Sequence, residues 1–395
     1  MSTFLVISTP YLCFTITDGA LRILCLLKFH QLGFSPFQIA SLFIFYEIAG
    51  VFTNFLGGWM GSVFGINRAL LLGISIQVIA LSALSLENTW QSILWVMLLQ
   101  GLAGIAKDLI KVGSKSSLKV ILPQNQDNTL FKWVSLLTGS KNALKGIGFL
   151  LGGLLLGSIG FKHSLLLLAA LLFILTLPTF FVLPKHIGKA KKKPSPTHLF
   201  SKPTPLKILS LARFFLFASR DIWFVISLPI FIQTQFNWNV EQTSAFLALW
   251  VIGYGLIQTI VPKLLPKNRS KNMPTLSFFT GLISLFPIGI AVAILFNFQI
   301  KLVLIVGLAF YNILFAINSI LHSYLVLEFS HHDRVSTDVG FYYMANAIGR
   351  LTGTLLSGWT FQHYTFSGSL IGAAILLACA SIVSLPLPKQ QPSQT

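Results

Sequence analysis

Long apolar runs separated by short polar segments dominate this sequence. A helix that crosses a membrane needs about 20 mainly apolar residues. The chain holds twelve such stretches, over residues 4–29, 37–62, 69–87, 90–110, 133–157, 164–183, 208–234, 243–265, 275–297, 301–328, 339–361 and 368–387. Strands of a membrane barrel would be shorter and would alternate in polarity, whereas these runs do not alternate. The pattern predicts an all-α membrane protein with twelve transmembrane helices, called spans 1–12 here.

Basic residues concentrate on one side of the predicted membrane. The chain is 54% hydrophobic and 10% charged, and its formal net charge is +18. Loops after the even-numbered spans carry Arg68, Lys111, Lys115, Lys119, Lys132, Lys185, Lys189, Lys191, Lys192, Lys193, Lys202, Lys207, Lys263, Lys267, Arg269, Lys271, Arg334 and Lys389. The opposite loops carry only Lys28, Lys162 and Lys301. Because cytoplasmic loops are rich in Lys and Arg, both termini are predicted to be cytoplasmic. The basic charge reports topology, and we expect no binding to nucleic acid.

The two halves of the chain resemble each other. A hydrophilic stretch over 184–207 predicts a cytoplasmic basic linker between one six-helix half, 1–183, and a second, 208–395. Motifs recur in order at three nearly equal offsets. Phe14-x-x-x-Asp18 recurs as Phe217-x-x-x-Asp221 at an offset of 203. Phe34-x-x-x-Gln38 and Tyr46-x-Ile48 recur as Trp238-x-x-x-Gln242 and Trp250-x-Ile252 at 204, and Lys145-x-x-Gly148 recurs as Arg350-x-x-Gly353 at 205. Parallel six-helix repeats are the design of major facilitator transporters, whose substrate binds at the membrane midplane between the halves.

The loop after span 2 resembles the signature of the same superfamily. It reads Gly58-Trp59-Met60-Gly61-Ser62-Val63-Phe64-Gly65-Ile66-Asn67-Arg68, with two glycines and the final arginine in place. Ser62 and Val63 stand where the family has an acidic residue and an arginine. The charge-based gate of that motif is therefore not expected here.

Cations inside the apolar stretches are the candidate binding residues. An Arg or Lys at the centre of a bilayer costs roughly 2.5–3.5 kcal/mol, so an anion is expected to join them. Arg binds phosphate and carboxylate with two parallel hydrogen bonds, whereas Lys acts as a point charge. The predicted substrate-binding residues are Arg22, Lys107, Lys111, Lys141, Asn142, Lys145, Arg213, Arg220, Tyr343, Asn346 and Arg350.

Several of these cations have a second interpretation. Asp18 and Arg22 are neighbours on one helix face and either neutralise each other or orient Arg22 toward a cavity. Arg213 either faces the same way as Arg220, two turns on, or extends to the cytoplasmic interface. Lys107 and Lys111 are better cavity candidates than Lys115 and Lys119 farther along the same stripe, which read as a positive helix end. Lys145 and Arg350 are related by the repeat and have no counter-ion nearby in sequence.

The acidic residues in the spans are the candidates for coupling or orienting, and they are Asp18, Glu47, Asp108 and Asp221. A proton-coupled transporter needs a titratable carboxylate. Glu47 has no cation one turn away and is the first candidate, although a structural hydrogen bond explains it equally well.

Enzymatic chemistry is not expected. Cys13, Cys25 and Cys379 lie in predicted spans and have no metal-ligand spacing, and no His or Cys cluster has it elsewhere. His331 and His332 lie in a loop and are expected to be solvated. We expect no cofactor, no metal and no catalytic residue.

Five segments resemble one branch of the major facilitators, the organoarsenical-efflux family known as ArsJ. They are Thr17-Asp18-Gly19-Ala20-Leu21-Arg22, Gly104-Ile105-Ala106-Lys107-Asp108-Leu109, Leu137-Thr138-Gly139-Ser140-Lys141-Asn142-Ala143-Leu144-Lys145-Gly146, Ala212-Arg213-Phe214-Phe215-Leu216-Phe217 and Arg220-Asp221-Ile222-Trp223-Phe224-Val225. The resemblance implies an antiporter in the bacterial inner membrane that exports 1-arseno-3-phosphoglycerate. It implies arsenate resistance, with glyceraldehyde-3-phosphate dehydrogenase as the functional partner that makes the ester. We expect a monomer in contact with membrane lipid.

Two other interpretations stay open. One is an organophosphate or other organic-anion antiporter of the same fold, which also places arginines on spans 1 and 7. The other is a membrane sensor that does not transport, although such a protein would be expected to carry a large soluble domain.

Overall fold

A computed structural model describes residues 2–64, 66–86, 90, 92–121, 127–182, 202–264, 276–330 and 335–387. Regular secondary structure in these ranges is entirely α-helical. The helices are α1 (Ser2–Gln31), α2 (Pro36–Ser41), α3 (Ile44–Phe64), α4 (Ile66–Leu84), α5 (Ile93–Ile121), α6 (Asp127–Val182), α7 (Thr204–Phe224), α8 (Ser227–Phe236), α9 (Val240–Leu264), α10 (Leu276–Leu295), α11 (Ile300–Glu328) and α12 (Val335–Ser384). Short turns separate α2 from α3 in span 2 and α7 from α8 in span 7.

Two of the helices, α6 and α12, each contain two predicted spans. A residue with a left-handed φ divides each of them, Gly160 at 76° in α6 and Thr365 at 58° in α12. Both positions fall in the predicted loops, and they are 205 residues apart, which is the offset between Lys145 and Arg350. The internal repeat therefore extends to the backbone. A β-branched residue rarely adopts such a φ, yet Thr365 occupies the position in the second half that Gly160 occupies in the first.

The described helices have the length and surface of membrane spans. Eight helical stretches are long and apolar enough to cross a membrane, and Ala69–Leu84 is a shorter apolar helix. Two of the eight, Ser140–Pro178 and Asp338–Ser384, have 39 and 47 residues, enough for two crossings each. Large apolar side chains remain exposed, among them Phe181 (81%) and Leu295 (77%). Because soluble proteins rarely expose so much apolar surface, these side chains fit contact with lipid. The prediction of an all-α protein with twelve spans is confirmed.

The chain divides into two compact units. The first comprises Met1–Ser195 with Asn237–Ile252, and the second comprises Pro196–Phe236 with Gly253–Thr395. The first unit thus contains α1–α6 and the beginning of α9. The second contains α7 and α8, the remainder of α9, and α10–α12.

Glycine allows the closest helix contacts within each unit. In the first unit, a Cβ added at Gly152 of α6 would lie 2.7 Å from the carbonyl oxygen of Ala20 in α1. In the second unit, a Cβ at Gly353 of α12 would lie 2.7 Å from the carbonyl oxygen of Ala218 in α7. Small residues at such crossings let two membrane helices approach backbone to backbone. The two cation-bearing pairs of helices, α1 with α6 and α7 with α12, are therefore held closely together.

The repeated Gln38 and Gln242 have a structural role that explains one recurring motif. The Gln38 side chain accepts a hydrogen bond from the backbone N–H of Ser35, whose hydroxyl accepts one from the N–H of Gln38, so that α2 begins with a capping box. Asn239 and Gln242 form the same reciprocal pair at the start of α9. The recurrence therefore reflects two equivalent helix starts rather than substrate binding.

The Gly152→Ala variant is expected to destabilise the first unit by about 1–3 kcal/mol, because the added methyl group meets backbone atoms that cannot rotate away. Gly289→Ala is the matched control, since no heavy atom would lie within 4 Å of its Cβ and alanine favours a helix. Thermal unfolding of the purified protein in detergent measures both. An unchanged midpoint for Gly152→Ala would show that the α1–α6 crossing can open at no cost.

Candidate functional site

An ion pair between α1 and α3 forms the centre of the site in the first unit. Nη1 of Arg22 lies 3.0 Å from Oε1 of Glu47, and the two side chains are 10% and 1% exposed. The guanidinium also lies over the ring of Phe43, 5.0 Å from its centroid. Its other terminal nitrogen, Nη2, is buried and has no hydrogen-bond partner among the described residues. The sequence suggested Asp18 as the partner of Arg22, but the structure gives it Glu47, because α3 brings that carboxylate across from the next span.

Tyr46 connects the remaining polar residues of this unit. Its hydroxyl donates a hydrogen bond of 2.6 Å to Oδ1 of Asp18, and Nζ of Lys107 lies 3.9 Å from the centroid of its ring. Next to Lys107 in α5, Asp108 accepts a hydrogen bond from the hydroxyl of Thr53. Asp18, Glu47 and Asp108 are all buried. Tyr46 thus contacts one candidate coupling residue, Asp18, and one candidate binding residue, Lys107. The sequence identified Tyr46 only as part of a repeated motif.

The candidate residues of α6 are half-buried. Lys141, Asn142 and Lys145 have intermediate exposure, and Nζ of Lys145 lies 5.9 Å from the ring centroid of Phe149, one turn away. Gly19 of α1 faces the backbone of Lys145, since a Cβ there would lie 2.6 Å from its carbonyl oxygen. The fourth lysine of the prediction, Lys111, lies in α5, but its side chain is outside the described part of the structure, as are the side chains of the signature segment at 58–68.

Asp221 joins two arginines in the second unit. Its Oδ1 accepts a hydrogen bond of 2.6 Å from Nε of Arg220, and its Oδ2 lies 3.4 Å from Nε of Arg350. The carboxylate is 1% exposed, while the two arginines are 16% and 20% exposed. Arg220 thus pairs with the residue that follows it in the chain. The expectation that Arg350 lacks a local counter-ion was wrong, because the close approach of α7 and α12 brings Asp221 to it.

Arg213 is buried among neutral partners. Its Nε donates to Oδ1 of Asn346 at 2.9 Å, and its Nη1 donates to the hydroxyl of Ser319 at 3.1 Å. Its guanidinium carbon lies 3.9 Å from the centroid of Phe217. The residue is 5% exposed, so the alternative in which it extends to the cytoplasmic interface is wrong. Tyr343 lies close by and makes an edge-on ring contact with Tyr342.

Aromatic rings, as well as carboxylates, contact the cations of the site. Phe217 lies between two cations, with Arg213 at 3.9 Å and Arg220 at 4.6 Å from its centroid. A ring face attracts a cation through its quadrupole but carries no net charge. Phe217 therefore contacts both cations without neutralising them, and their positive charge suits an anionic ligand.

The sequence contained a signal for these rings that spacing alone would have revealed. Phe217 follows Arg213 by four residues and Phe149 follows Lys145 by four, and such pairs are neighbours on a helix surface. The pairing of Arg22 with Glu47 had no such signal, because it joins two different helices.

Comparisons with known proteins agree with this architecture. The model of the family described as Major Facilitator Superfamily matches residues 4–337. Among solved structures, the crystal structure of a mutant of the nucleoside transporter NupG is similar over 97% of this chain and 99% of its own, with 18% identity and a TM-score of 0.75. A structure described under substrate recognition in proton dependent oligopeptide transporters covers 97% and 95%, with 13% identity and a TM-score of 0.71. None of the curated proteins searched matches the chain. At these identities the structural likeness establishes the fold.

Proposed function

We propose, since this chain belongs to the major facilitator superfamily of membrane transporters, that it exports an organic anion with more than one anionic group. The specific substrate proposed is 1-arseno-3-phosphoglycerate, expelled by alternating access from the cytoplasm across a bacterial inner membrane. The export of this ester would confer resistance to arsenate. The protein acts after a dehydrogenase that forms the ester and performs no chemistry itself.

The excess of cations over carboxylates in the second unit is the observation that carries the proposal. Its described cluster contains Arg213, Arg220 and Arg350 but one carboxylate, Asp221. Charges held in a medium of low dielectric attract an opposite charge far more strongly than charges in water do. A substrate with both phosphate and arsenate groups supplies the negative charge that such a cluster lacks.

The choice of an arsenylated ester rests on the resemblance to the efflux family, and the geometry supports it. The resembling segments supply Arg22, Lys107, Lys145, Arg213 and Arg220, which are cations of the two clusters. An ester of pentavalent arsenic is recognised by its charge, whereas trivalent arsenic would require clustered thiolates. Cys13 and Cys25 stand twelve residues apart, about 18 Å along a helix, which suits no thiolate cluster.

Coupling to protons is proposed to run through Glu47. Nη2 of Arg22 has a hydrogen-bond site to offer, and an anion that occupied the guanidinium would compete with Glu47 for it. The carboxylate displaced in this way could take a proton, so that the substrate and the proton use the same arginine in turn. Such an exchange between Arg22 and Glu47 would provide a physical basis for antiport of the substrate with a proton.

Transport assays on inverted membrane vesicles test the proposal. Vesicles containing the protein are supplied with labelled 3-phosphoglycerate, or with its arsenylated ester, which the dehydrogenase forms from labelled glyceraldehyde 3-phosphate and arsenate while NAD is reduced. Uptake of the ester and not of phosphoglycerate supports the proposed substrate. Equal uptake of both would make the protein a general organophosphate carrier, and uptake of neither by vesicles that hold folded protein would contradict the proposal.

The Lys145→Ala and Arg350→Ala variants are expected to abolish arsenate resistance in cells while the protein still reaches the membrane. Each removes a half-buried cation at a repeat-related position, and the substrate would lose one charge-assisted hydrogen bond. Growth on arsenate and immunoblots of membrane fractions measure the two effects. Lys301→Ala, an exposed lysine outside both clusters, is the control, and full resistance in both site variants would exclude these residues from the substrate site.

A further inference from the structure

Arg213 differs from Arg220 and Arg350, which both contact Asp221, in its partners. The described contacts of Arg213 are hydrogen bonds to the side chains of Asn346 and Ser319 and the faces of two rings, Phe217 and Tyr342. All four are neutral. A buried charge without an opposite charge is strongly unfavourable. The described contacts of Arg213 therefore include no anion, whereas those of Arg220 include Asp221.

Two further side chains beside Arg213 have polar atoms without partners. The guanidinium carbon of Arg213 lies 5.3 Å from the ring centroid of Tyr342, and the rings of Tyr342 and His322 are 6.3 Å apart. The hydroxyl of Tyr342 and Nδ1 of His322 are buried and have no hydrogen-bond partner among the described residues. The two residues are 0% and 1% exposed. An unpaired buried polar group is unfavourable, so two of them beside one uncompensated charge point to a common ligand.

The surroundings favour a compact anion. Tyr342 also packs in an apolar cluster with Leu209, Leu321 and Leu325, and such a cluster excludes water and strengthens each charge-assisted bond. A guanidinium, a phenol hydroxyl and an imidazole can all donate hydrogen bonds. A tetrahedral oxyanion has several acceptor oxygens and can accept hydrogen bonds from all three groups, and it supplies the negative charge that a neutral solute lacks.

We infer that Arg213, Tyr342 and His322 form a buried oxyanion subsite within the second unit's cluster, distinct from the ion pairs that Arg220 and Arg350 make with Asp221. Its ligand is a phosphate-like group. The group comes either from one end of the exported substrate, in which case the inference rests on the proposed function, or from free inorganic phosphate. Asn346 and Ser319 accept hydrogen bonds from the guanidinium and are positioning residues.

Equilibrium binding to the full-length protein in lipid nanodiscs tests this subsite, with labelled inorganic phosphate and labelled 3-phosphoglycerate as probes. The variants are Arg213→Gln, Tyr342→Phe and His322→Gln. Arg213→Gln and Tyr342→Phe are each expected to weaken binding by about tenfold or more, the usual effect of losing a hydrogen bond to a charged group. Tyr324→Phe is the matched control, because Tyr324 is 45% exposed, and its affinity should not change.

The two probes distinguish the sources of the oxyanion. If the variants bind inorganic phosphate more weakly than the native protein does, the subsite binds the free ion. This conclusion would hold even if the vesicle assays found no export. Weakened binding of phosphoglycerate alone assigns the subsite to one end of the substrate. Unchanged affinity for both probes in Tyr342→Phe and His322→Gln would overturn the inference, and these variants decide it even if Arg213→Gln does not fold, since they preserve ring size and side-chain volume respectively.

Discussion

The Arg22→Ala variant is expected to lose transport and to unfold at a lower temperature than the native protein. Arg22 and Glu47 pair at 3.0 Å between α1 and α3, with the Glu47 side chain 1% exposed. Removing one member of a buried ion pair costs about 3–5 kcal/mol, because the other charge stays buried without it. Transport should fall by about a hundredfold or more, since the guanidinium that the substrate would bind is also gone.

A double variant separates the two effects. Arg22→Gln combined with Glu47→Gln removes both charges and leaves two side chains that can hydrogen-bond to each other, so most of the lost stability should return. Transport should not return, because no cation is restored. If the double variant regained both stability and transport, the role of Arg22 would be structural. Thermal unfolding and vesicle uptake measure the two quantities on the same preparations.

Glu47→Gln alone tests the coupling. An amide cannot take a proton, so exchange of substrate between the two sides of a vesicle should continue while accumulation driven by a pH gradient is lost. Thr234→Ala, at a residue outside this cluster, serves as the control. If the Glu47→Gln variant still accumulated substrate under a pH gradient, a carboxylate other than Glu47 would couple transport to protons.

The fold could be predicted from the sequence because its signals are local. Each span is one apolar run whose length is set by the membrane, and the turns at Gly160 and Thr365 fall where the apolar pattern breaks. The repeat offsets were equally visible, because the same helix starts recur at Ser35 and Asn239.

Pairing in the site could be predicted only where partners are adjacent in the chain. Arg220 and Asp221 are consecutive, and their ion pair follows from that. The partners of Arg22, Arg350 and Arg213 lie 25, 129 and 133 residues away in sequence. Such contacts depend on which helices cross and at what height, and no periodicity within one helix contains that information. His322 was overlooked for the same reason, since a lone histidine in an apolar run becomes notable only once Arg213 lies beside it.

The Asp221→Asn variant is expected to bind its anionic substrate more tightly and to transport it more slowly. In the native protein the carboxylate lies between Arg220 and Arg350, at 2.6 Å and 3.4 Å from their Nε atoms. An incoming anion must compete with it for both guanidiniums. The asparagine leaves two like charges close together in a medium of low dielectric, where an anion that joins them is held strongly.

Transport kinetics of the Asp221→Asn variant should therefore show a lower KM together with a lower maximal rate. The rate falls because a substrate that is bound more tightly before the conformational change must cross a higher barrier to be released. The empty variant should also be less stable than the native protein, and phosphoglycerate should raise its unfolding midpoint by more than it raises the native one. Glu328→Gln, at an exposed position, is the matched control and should change neither quantity.

A higher KM with an unchanged maximal rate would point to a different role for Asp221. The carboxylate would then orient the two guanidiniums for the substrate instead of competing with it, and its loss would let the arginines turn away from each other. The response to added anion decides between the two roles independently of transport. Competition predicts a larger stabilisation of Asp221→Asn by phosphoglycerate than of the native protein, and orientation predicts a smaller one, because misplaced guanidiniums bind the anion less well.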